Sequence, residues 1–148
     1  MSRLRLPLVP ARLRWALVGA AALTVLCFSV VPLPGTGPLA TGPLGLLPLS
    51  LWAHALGYAG LAVLLAYALH TSPRPDWQVL LVVFLAATGY GIGMELVQLT
   101  VPGRTFDVAD VLVNAAAAAL AVVGWRLLVR RVRFYRARHL ADVRSPVE

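Results

Sequence analysis

The sequence predicts an all-α, polytopic membrane protein: a four-transmembrane-helix bundle with both termini cytoplasmic. Hydrophobic residues make up 59% of its 148 residues and charged residues only 13%, whereas a typical soluble domain is about 45–50% apolar and about 25% charged. Residues 15–73 contain no Asp, Glu, Lys or Arg, which is enough for two crossings of about 20 residues each and a connection. This composition excludes a soluble globule and a disordered chain, and the single Cys excludes a disulfide scaffold.

Proline and glycine separate the four apolar segments. Pro32 and Pro34 end the first segment because they remove backbone donors, and a charge-free loop rich in Pro and Gly leads to the second. The turns at residues 71–77 and before Asp107 bound the third, and Asp107 is a suitable N-cap for the fourth. The predicted crossings are residues 15–31, 49–69, 77–99 and 107–128. The chain thus divides into a basic cytoplasmic N-terminus (1–14), a four-helix membrane domain (15–128) and a cytoplasmic Arg-rich tail (129–148).

Arginine is distributed unequally between the two sides of the membrane. Four crossings place both termini and the turn at Arg74 on one side, which then carries twelve of the thirteen arginines, while the other side carries only Arg104. Basic residues are enriched in cytoplasmic segments, so we expect a multi-pass plasma-membrane protein with both ends inside the cell. We interpret the tail, which interleaves Arg with apolar residues, as a contact with the anionic inner leaflet, at about 1 kcal/mol per Arg, rather than with nucleic acid.

The few polar side chains within the crossings fall at one height, the outer end of the predicted bundle. Within each crossing they are three or four residues apart and therefore share a helical face. Hydrocarbon cannot satisfy such groups, so we expect the faces to meet and form a pocket that opens outward. The predicted pocket residues are His54, Tyr58, Glu95, Gln98, Arg104, Asp107, Asp110 and Asn114. We expect the carboxylates of Glu95, Asp107 and Asp110 and the His54 ring to lie within roughly 10 Å of one another.

Each of these residues also has a structural interpretation. Asp107 and Asp110 fit the cap and the first turn of the fourth helix, where carboxylates are favourable. Glu95 fits an ion pair with Arg104. The remaining residues fit hydrogen bonds between helices: His54, Gln98 and Asn114. What favours a functional site is that these polar and charged side chains lie at the same predicted depth and share one face within each crossing.

Small residues in the second and third crossings predict close helix packing. Gly89 and Gly93 form a G-x-x-x-G motif in the third crossing, and the second crossing contains Gly57 and Gly60, which reduce its side-chain bulk. Such residues let helices approach closely in a membrane. We expect this packing to be internal, with a homodimer contact as the alternative.

One block of the sequence resembles a known family. Residues 94–120 read MELVQLTVPGRTFDVADVLVNAAAAAL and contain E-x-x-Q, P-x-R and D-x-x-D-x-x-x-N. This block resembles the hallmark of the VanZ-like family of small bacterial membrane proteins, and HALGY at residues 54–58 resembles the family's upstream motif. The resemblance covers about residues 15–128.

The resemblance implies a membrane protein of the cell envelope and, through the founding members, an association with resistance to the glycopeptide teicoplanin. Two departures stand out. The family often has an Asp-Lys pair where this chain has Ser50 and Leu51, and the glycines that usually follow the Asn are here Ala117 and Ala121. Any mechanism that needs the Lys is therefore not implied for this chain.

Three functions stay open. The pocket can bind a cell-envelope precursor, a lipid headgroup or a glycopeptide antibiotic, with Arg104 contacting an anionic group. Alternatively, the chain is a membrane-embedded hydrolase or transferase of a lipid-linked substrate. Its general base would be His54 or Glu95, or His54, Glu95, Asp107 and Asp110 would hold a divalent metal. A proton relay is disfavoured because no acid lies in the inner half of any crossing. No nucleophile motif is present, and we predict no cofactor.

Overall fold

The computed structural model describes residues 4–31, 41–45 and 48–136 and confirms the four-helix bundle. Each helix is long and apolar enough to cross a membrane. The helices are α1 (Ala11–Val30), α2 (Leu49–Leu69), α3 (Asp76–Gln98) and α4 (Val108–Arg131). The bounds of α2 and α3 agree closely with the predicted crossings, whereas α4 continues to Arg131, into the stretch that was predicted as tail.

Successive helices run in opposite directions, so α2 and α4 are parallel to each other and form the most extensive helix pair. At one end of this pair His54 contacts Asn114. At the other end the ring of His70, which follows α2, lies 6.0 Å from that of Trp125. We call the first end the site end and the second the basic end, because Arg104 is the only described arginine located at the former.

Most side chains of the apolar core are small, and many large apolar side chains point outward. The buried core consists of Ala62, Ala66, Val83, Ala87, Ala118 and Trp125. By contrast, Leu112 and Leu120 of α4 are 64% and 74% exposed. In water this arrangement would leave much apolar surface uncovered, whereas in a bilayer lipid covers it and small residues let the backbones approach.

Among the helical glycines of the described residues, Gly91 is the one that most requires the absence of a side chain, not the G-x-x-x-G pair. A Cβ built at Gly91 would lie 3.2 Å from Tyr58 Cε1 and 3.2 Å from Asn114 Nδ2, whereas one built at Gly89 or Gly93 would meet nothing within 4 Å. The expectation of internal packing at Gly89 and Gly93 was therefore wrong, because the rotation of α3 turns them away from its neighbours. A homodimer contact at this pair stays a prediction.

Two short strands close the basic end. Strand β1 (Leu4–Leu8) pairs in parallel with β2 (Val132–Arg136), from Leu4 opposite Val132 to Leu8 opposite Arg136. The sequence analysis predicted neither strand. Their pairing holds the first and last described residues together at one end of the bundle. Most of the predicted lipid-binding tail, residues 137–148, lies outside the described part of the chain.

Arg14 is a buried residue of α1, which begins at Ala11 rather than after the arginines. Its Nη1 donates 3.0 Å hydrogen bonds to the carbonyl oxygens of Tyr67 and Ala68, and its Nη2 donates one to Thr71 Oγ1. The last carbonyls of a helix lack partners within that helix. Arg14 therefore enters α1 because it satisfies the end of α2.

An aromatic cluster of Tyr67, His70, Trp125 and Phe134 lies beside Arg14. Phe134 of β2 packs 4.4 Å from the His70 ring and 5.8 Å from Trp125, between ring centroids. Burial, followed by the charge of Arg14, lowers the pKa of His70 below its usual value. The aromatic contacts of Phe134 anchor β2 to the bundle. Tyr67 anchors the region of β1, because its hydroxyl donates to the carbonyl oxygen of Pro7 and accepts from the backbone N–H of Val9.

Candidate polar site and family assignment

Three helices bring a histidine and two carboxylates together at the site end. Each of His54 on α2, Glu95 on α3 and Asp110 on α4 offers one possible metal-ligand atom, and these atoms all lie within 4.8 Å of one another. We call these three residues the His–Glu–Asp cluster. The separation is well inside the roughly 10 Å expected for neighbouring helices. Because each residue comes from a different helix, the cluster exists only in the assembled bundle.

His54 is held by α4 through both ring nitrogens. Its Nδ1 lies 3.2 Å from Asn114 Oδ1, and its Nε2 lies 3.5 Å from Asp110 Oδ2. Asp110 and Asn114 are one helical turn apart, so they reach the same ring from one face of α4. Asp110 in the first turn of α4 thus faces His54 and is not only a favourable charge for the helix dipole.

Glu95 is completely buried. Its Oε2 accepts a 3.2 Å hydrogen bond from the backbone N–H of Asp107, the residue that caps α4. Its Oε1 accepts no hydrogen bond from the described residues. The alternative of an ion pair with Arg104 was wrong within the described part of the chain, where Arg104 lies within ion-pair distance of no carboxylate. The carboxylate is directed toward the start of α4, whereas Arg104 lies exposed in the turn.

Asp107 acts as the N-cap of α4, as the capping interpretation predicted. Its Oδ1 accepts a 2.7 Å hydrogen bond from the backbone N–H of Ala109, and the side chain is exposed. This bond satisfies one of the free donors at the helix start. Asp107 therefore supports the site through its backbone N–H, and its carboxylate lies outside the His–Glu–Asp cluster.

Tyr58 and Gln98 are further buried residues of the predicted pocket. The Tyr58 ring stacks on His54 at a centroid distance of 6.2 Å and an interplanar angle of 12°. Both Tyr58 and Gln98 are almost fully buried. The Tyr58 hydroxyl makes no hydrogen bond to any residue that the structure describes, which leaves a polar atom available inside the bundle.

A cavity of about 420 Å³ opens beside the cluster, between α1 and α2. Its walls are mainly apolar and include Val25 and Phe28 of α1 and Leu56 of α2. Polar groups from the site-end half of the bundle also line it, among them His54, Tyr58, Gln98 and Arg104, and we call this part of the lining the polar end. Of the His–Glu–Asp cluster, His54 alone lines this cavity, so it connects the two features.

The sequence analysis missed the contribution of α1 to this cavity. Thr24 and Ser29 line it together with Ser50 of α2. Ser29 is buried, and Thr24 Oγ1 donates a 2.8 Å hydrogen bond to the carbonyl oxygen of Ala20 in its own helix. These hydroxyls are the features of the sequence that could have indicated the cavity. They carry no charge, and an uncharged hydroxyl within an apolar segment does not by itself indicate a site.

Comparisons with known proteins agree with the sequence motifs. The family model described as VanZ/LLP1 matches residues 39–129. This range contains α2, α3, most of α4 and all eight predicted pocket residues, whereas α1 lies before it. No curated protein and no solved structure matches the chain. Because the matched range covers more than half of the chain, this VanZ-like membrane protein belongs to the VanZ/LLP1 family.

Proposed function

We propose that this protein binds an amphiphile with an anionic headgroup, such as a lipid-linked cell-envelope precursor, at the outer face of the plasma membrane. The observation that carries the proposal is the cavity between α1 and α2, with its apolar walls and polar end. An apolar chain fits against the walls, and a headgroup fits at the polar end. Ligand pockets commonly combine such walls with a few well-placed polar groups.

The walls of the cavity give a membrane lipid a route of entry. Phe28 and Leu56 are 52% and 65% exposed, although both line the cavity. In a bilayer these side chains face the hydrocarbon region. A lipid therefore enters sideways from the leaflet, and its chain need not pass through water.

Arg104 is the cation that suits an anionic headgroup. Its side chain is exposed at the polar end of the cavity and forms no ion pair with any described residue. A guanidinium binds phosphate or carboxylate through two parallel hydrogen bonds. Tyr58 and Gln98, which also line this end, provide groups that can bind hydroxyls or amides.

The distribution of arginine supports an outward orientation of the site. The arginines other than Arg104 that the structure describes lie on the segments of the basic end. The positive-inside rule assigns such an end to the cytoplasm. The cavity would then open to the outer leaflet, where lipid-linked precursors and a glycopeptide such as teicoplanin are both accessible.

We expect the purified protein in lipid nanodiscs to bind a fluorescent polyprenyl phosphate more tightly than the matching uncharged polyprenol. Arg104→Ala should weaken binding of the phosphate at least about tenfold, because hydrogen bonds to charged groups contribute about 1.5–3 kcal/mol. Arg74→Ala removes an exposed arginine at the basic end and is the matched control. Fluorescence anisotropy measures all four affinities.

Equal affinity for the phosphate and the alcohol, unchanged in Arg104→Ala, would contradict the proposal. Two further outcomes of the same experiment would identify a different ligand or a different function. Displacement of the lipid by teicoplanin would identify the glycopeptide as a ligand of the same cavity. Release of inorganic phosphate during the incubation would identify the alternative function, a hydrolase of lipid-linked substrates.

A further inference from the structure

We infer that the His–Glu–Asp cluster binds one divalent first-row metal ion through His54 Nε2 and one carboxylate oxygen each of Glu95 and Asp110. The inference concerns the cluster and not the cavity, so it does not rest on binding of an amphiphile. The ligand atoms come from α2, α3 and α4 and lie within 4.8 Å of one another. An ion at this position would join three of the four helices.

The hydrogen bonds of His54 favour a cation beside Nε2. Asn114 Oδ1, which lies 3.2 Å from Nδ1, is an amide oxygen and can only accept. The proton of a neutral ring is therefore on Nδ1, and Nε2 presents a lone pair to Asp110 Oδ2 at 3.5 Å. Two acceptors repel each other unless a proton or a metal ion lies between them, and the titration below distinguishes the two. A histidine that donates its second N–H to an oxygen is the usual form of a metal ligand.

The charge at the cluster also favours a dication. Glu95 is 0% exposed, and its Oε1 has no hydrogen-bond partner among the described residues. Of the described residues that can carry a positive charge, only His54 lies near the Glu95 and Asp110 carboxylates. Arg104 is exposed and pairs with neither of them in the described part of the chain. Uncompensated charge is costly inside a membrane bundle. A divalent ion balances both carboxylates.

The ligand types indicate which ions are suitable. One imidazole nitrogen with two carboxylate oxygens suits Zn²⁺ or Mn²⁺ better than a soft ion, which would require thiolates. Bonds of about 2.0–2.2 Å place neighbouring ligands about 3.0–3.5 Å apart. The separation of His54 Nε2 and Asp110 Oδ2, 3.5 Å, falls in this range. The other separations are at most 4.8 Å, and rotation of the carboxylates would shorten them on binding.

Three protein ligands leave at least one coordination position open. Such sites commonly hold water or an exogenous oxygen ligand. Of the three ligand residues, only His54 also lines the cavity.

The test is a metal titration of chelator-treated, detergent-solubilised protein without added lipid ligand. Isothermal titration with Zn²⁺ and, separately, Mn²⁺ should give one ion per chain for at least one of them. Glu95→Gln and Asp110→Asn should each weaken binding more than tenfold, and Asn114→Ala about tenfold or more, since loss of an outer-shell partner costs about 10–100-fold. Asp76→Asn is the matched control, because Asp76 lies in the first turn of α3 as Asp110 does in α4.

A second readout separates loss of the site from loss of the fold. The metal should raise the melting temperature of the native chain and of Asp76→Asn, but not that of Asp110→Asn. Failure of both ions to bind the native chain would overturn the inference, as would undiminished binding in Glu95→Gln and Asp110→Asn. Because no amphiphile is present in this titration, a failure to bind metal does not contradict the proposed lipid binding. A failure to bind lipid likewise does not contradict metal binding at the cluster.

Discussion

Replacing Arg14 with leucine is expected to lower the free energy of unfolding by about 2–4 kcal/mol, because it removes three hydrogen bonds at the end of α2 and leaves the buried Ala68 carbonyl oxygen without a donor. The guanidinium makes three hydrogen bonds there, to Tyr67, Ala68 and Thr71. Leucine keeps the apolar contacts of the stem and removes all three bonds. Denaturation with sodium dodecyl sulfate, followed by circular dichroism, measures the change.

Arg12→Leu is the matched control for this prediction. Arg12 lies in the same turn of α1, carries the same charge and is exposed, so its replacement should change the free energy of unfolding by less than about 0.5 kcal/mol. Equal effects of the two substitutions would indicate that charge near the membrane surface, and not the bonds to α2, stabilises this end. Arg14→Lys should fall between them, because an ammonium lacks the planar fork of donors.

Replacing Gly91 with valine is expected to destabilise the bundle by about 1–3 kcal/mol, the usual cost of adding atoms to a packed interior. A first added carbon already lies 3.2 Å from both Tyr58 and Asn114, and valine adds two more. Tyr58 stacks on His54 and Asn114 contacts it. The substitution should therefore lower the melting temperature and also disturb the His–Glu–Asp cluster.

Gly89→Val provides the comparison, since a side chain at Gly89 meets nothing within 4 Å. It makes the same chemical change two residues away on the same helix. Its melting temperature should stay close to that of the native chain, and valine should be tolerated on a lipid-facing surface. If Gly89→Val proves as destabilising as Gly91→Val, the cost comes from the helix backbone or from a contact between chains, and the close approach at Gly91 does not account for it.

The fold was predictable because the membrane limits the backbone structures that a spanning segment can adopt. A chain that spans hydrocarbon must satisfy its backbone within each segment, so long apolar runs bounded by Pro and Gly give the helices directly. The same constraint placed His54, Glu95 and Asp110 together. Polar residues at one depth and on one face of each helix have no alternative partners, and the ligand atoms lie within 4.8 Å of one another.

What the sequence did not predict depends on contacts between distant segments. Nothing local in Leu4–Leu8 indicates that it pairs with Val132–Arg136. The spacing of Gly89 and Gly93 does not reveal how α3 is rotated, and that rotation decides that Gly91 faces its neighbours. Arg14 was placed before α1 because a charge within a crossing is unfavourable until its partners on another helix are known.

The separation of cluster and cavity was also beyond sequence reasoning. All eight candidate residues were expected to line one pocket. In the structure the cavity is lined by His54, Tyr58, Gln98 and Arg104, while Glu95 and Asp110 lie behind His54 in the cluster. The packing of the helices decides whether a given polar group lies next to the cavity or next to the other ligand atoms of the cluster, and sequence spacing does not determine that packing. The role of α1 follows from the same packing, since its contribution comes from uncharged residues.

The central claim is that His54 of α2 and Asp110 of α4 face each other inside one folded bundle in the membrane. Thiol crosslinking in native membranes tests it most directly, with His54→Cys and Asp110→Cys combined in a Cys27→Ser background that removes the exposed native thiol. A short thiol-specific crosslinker should join the two positions efficiently within one chain, as detected by mass spectrometry, and should not join Thr71→Cys with Asp110→Cys, since Thr71 lies at the basic end. Crosslinking of the second pair but not the first would contradict the account.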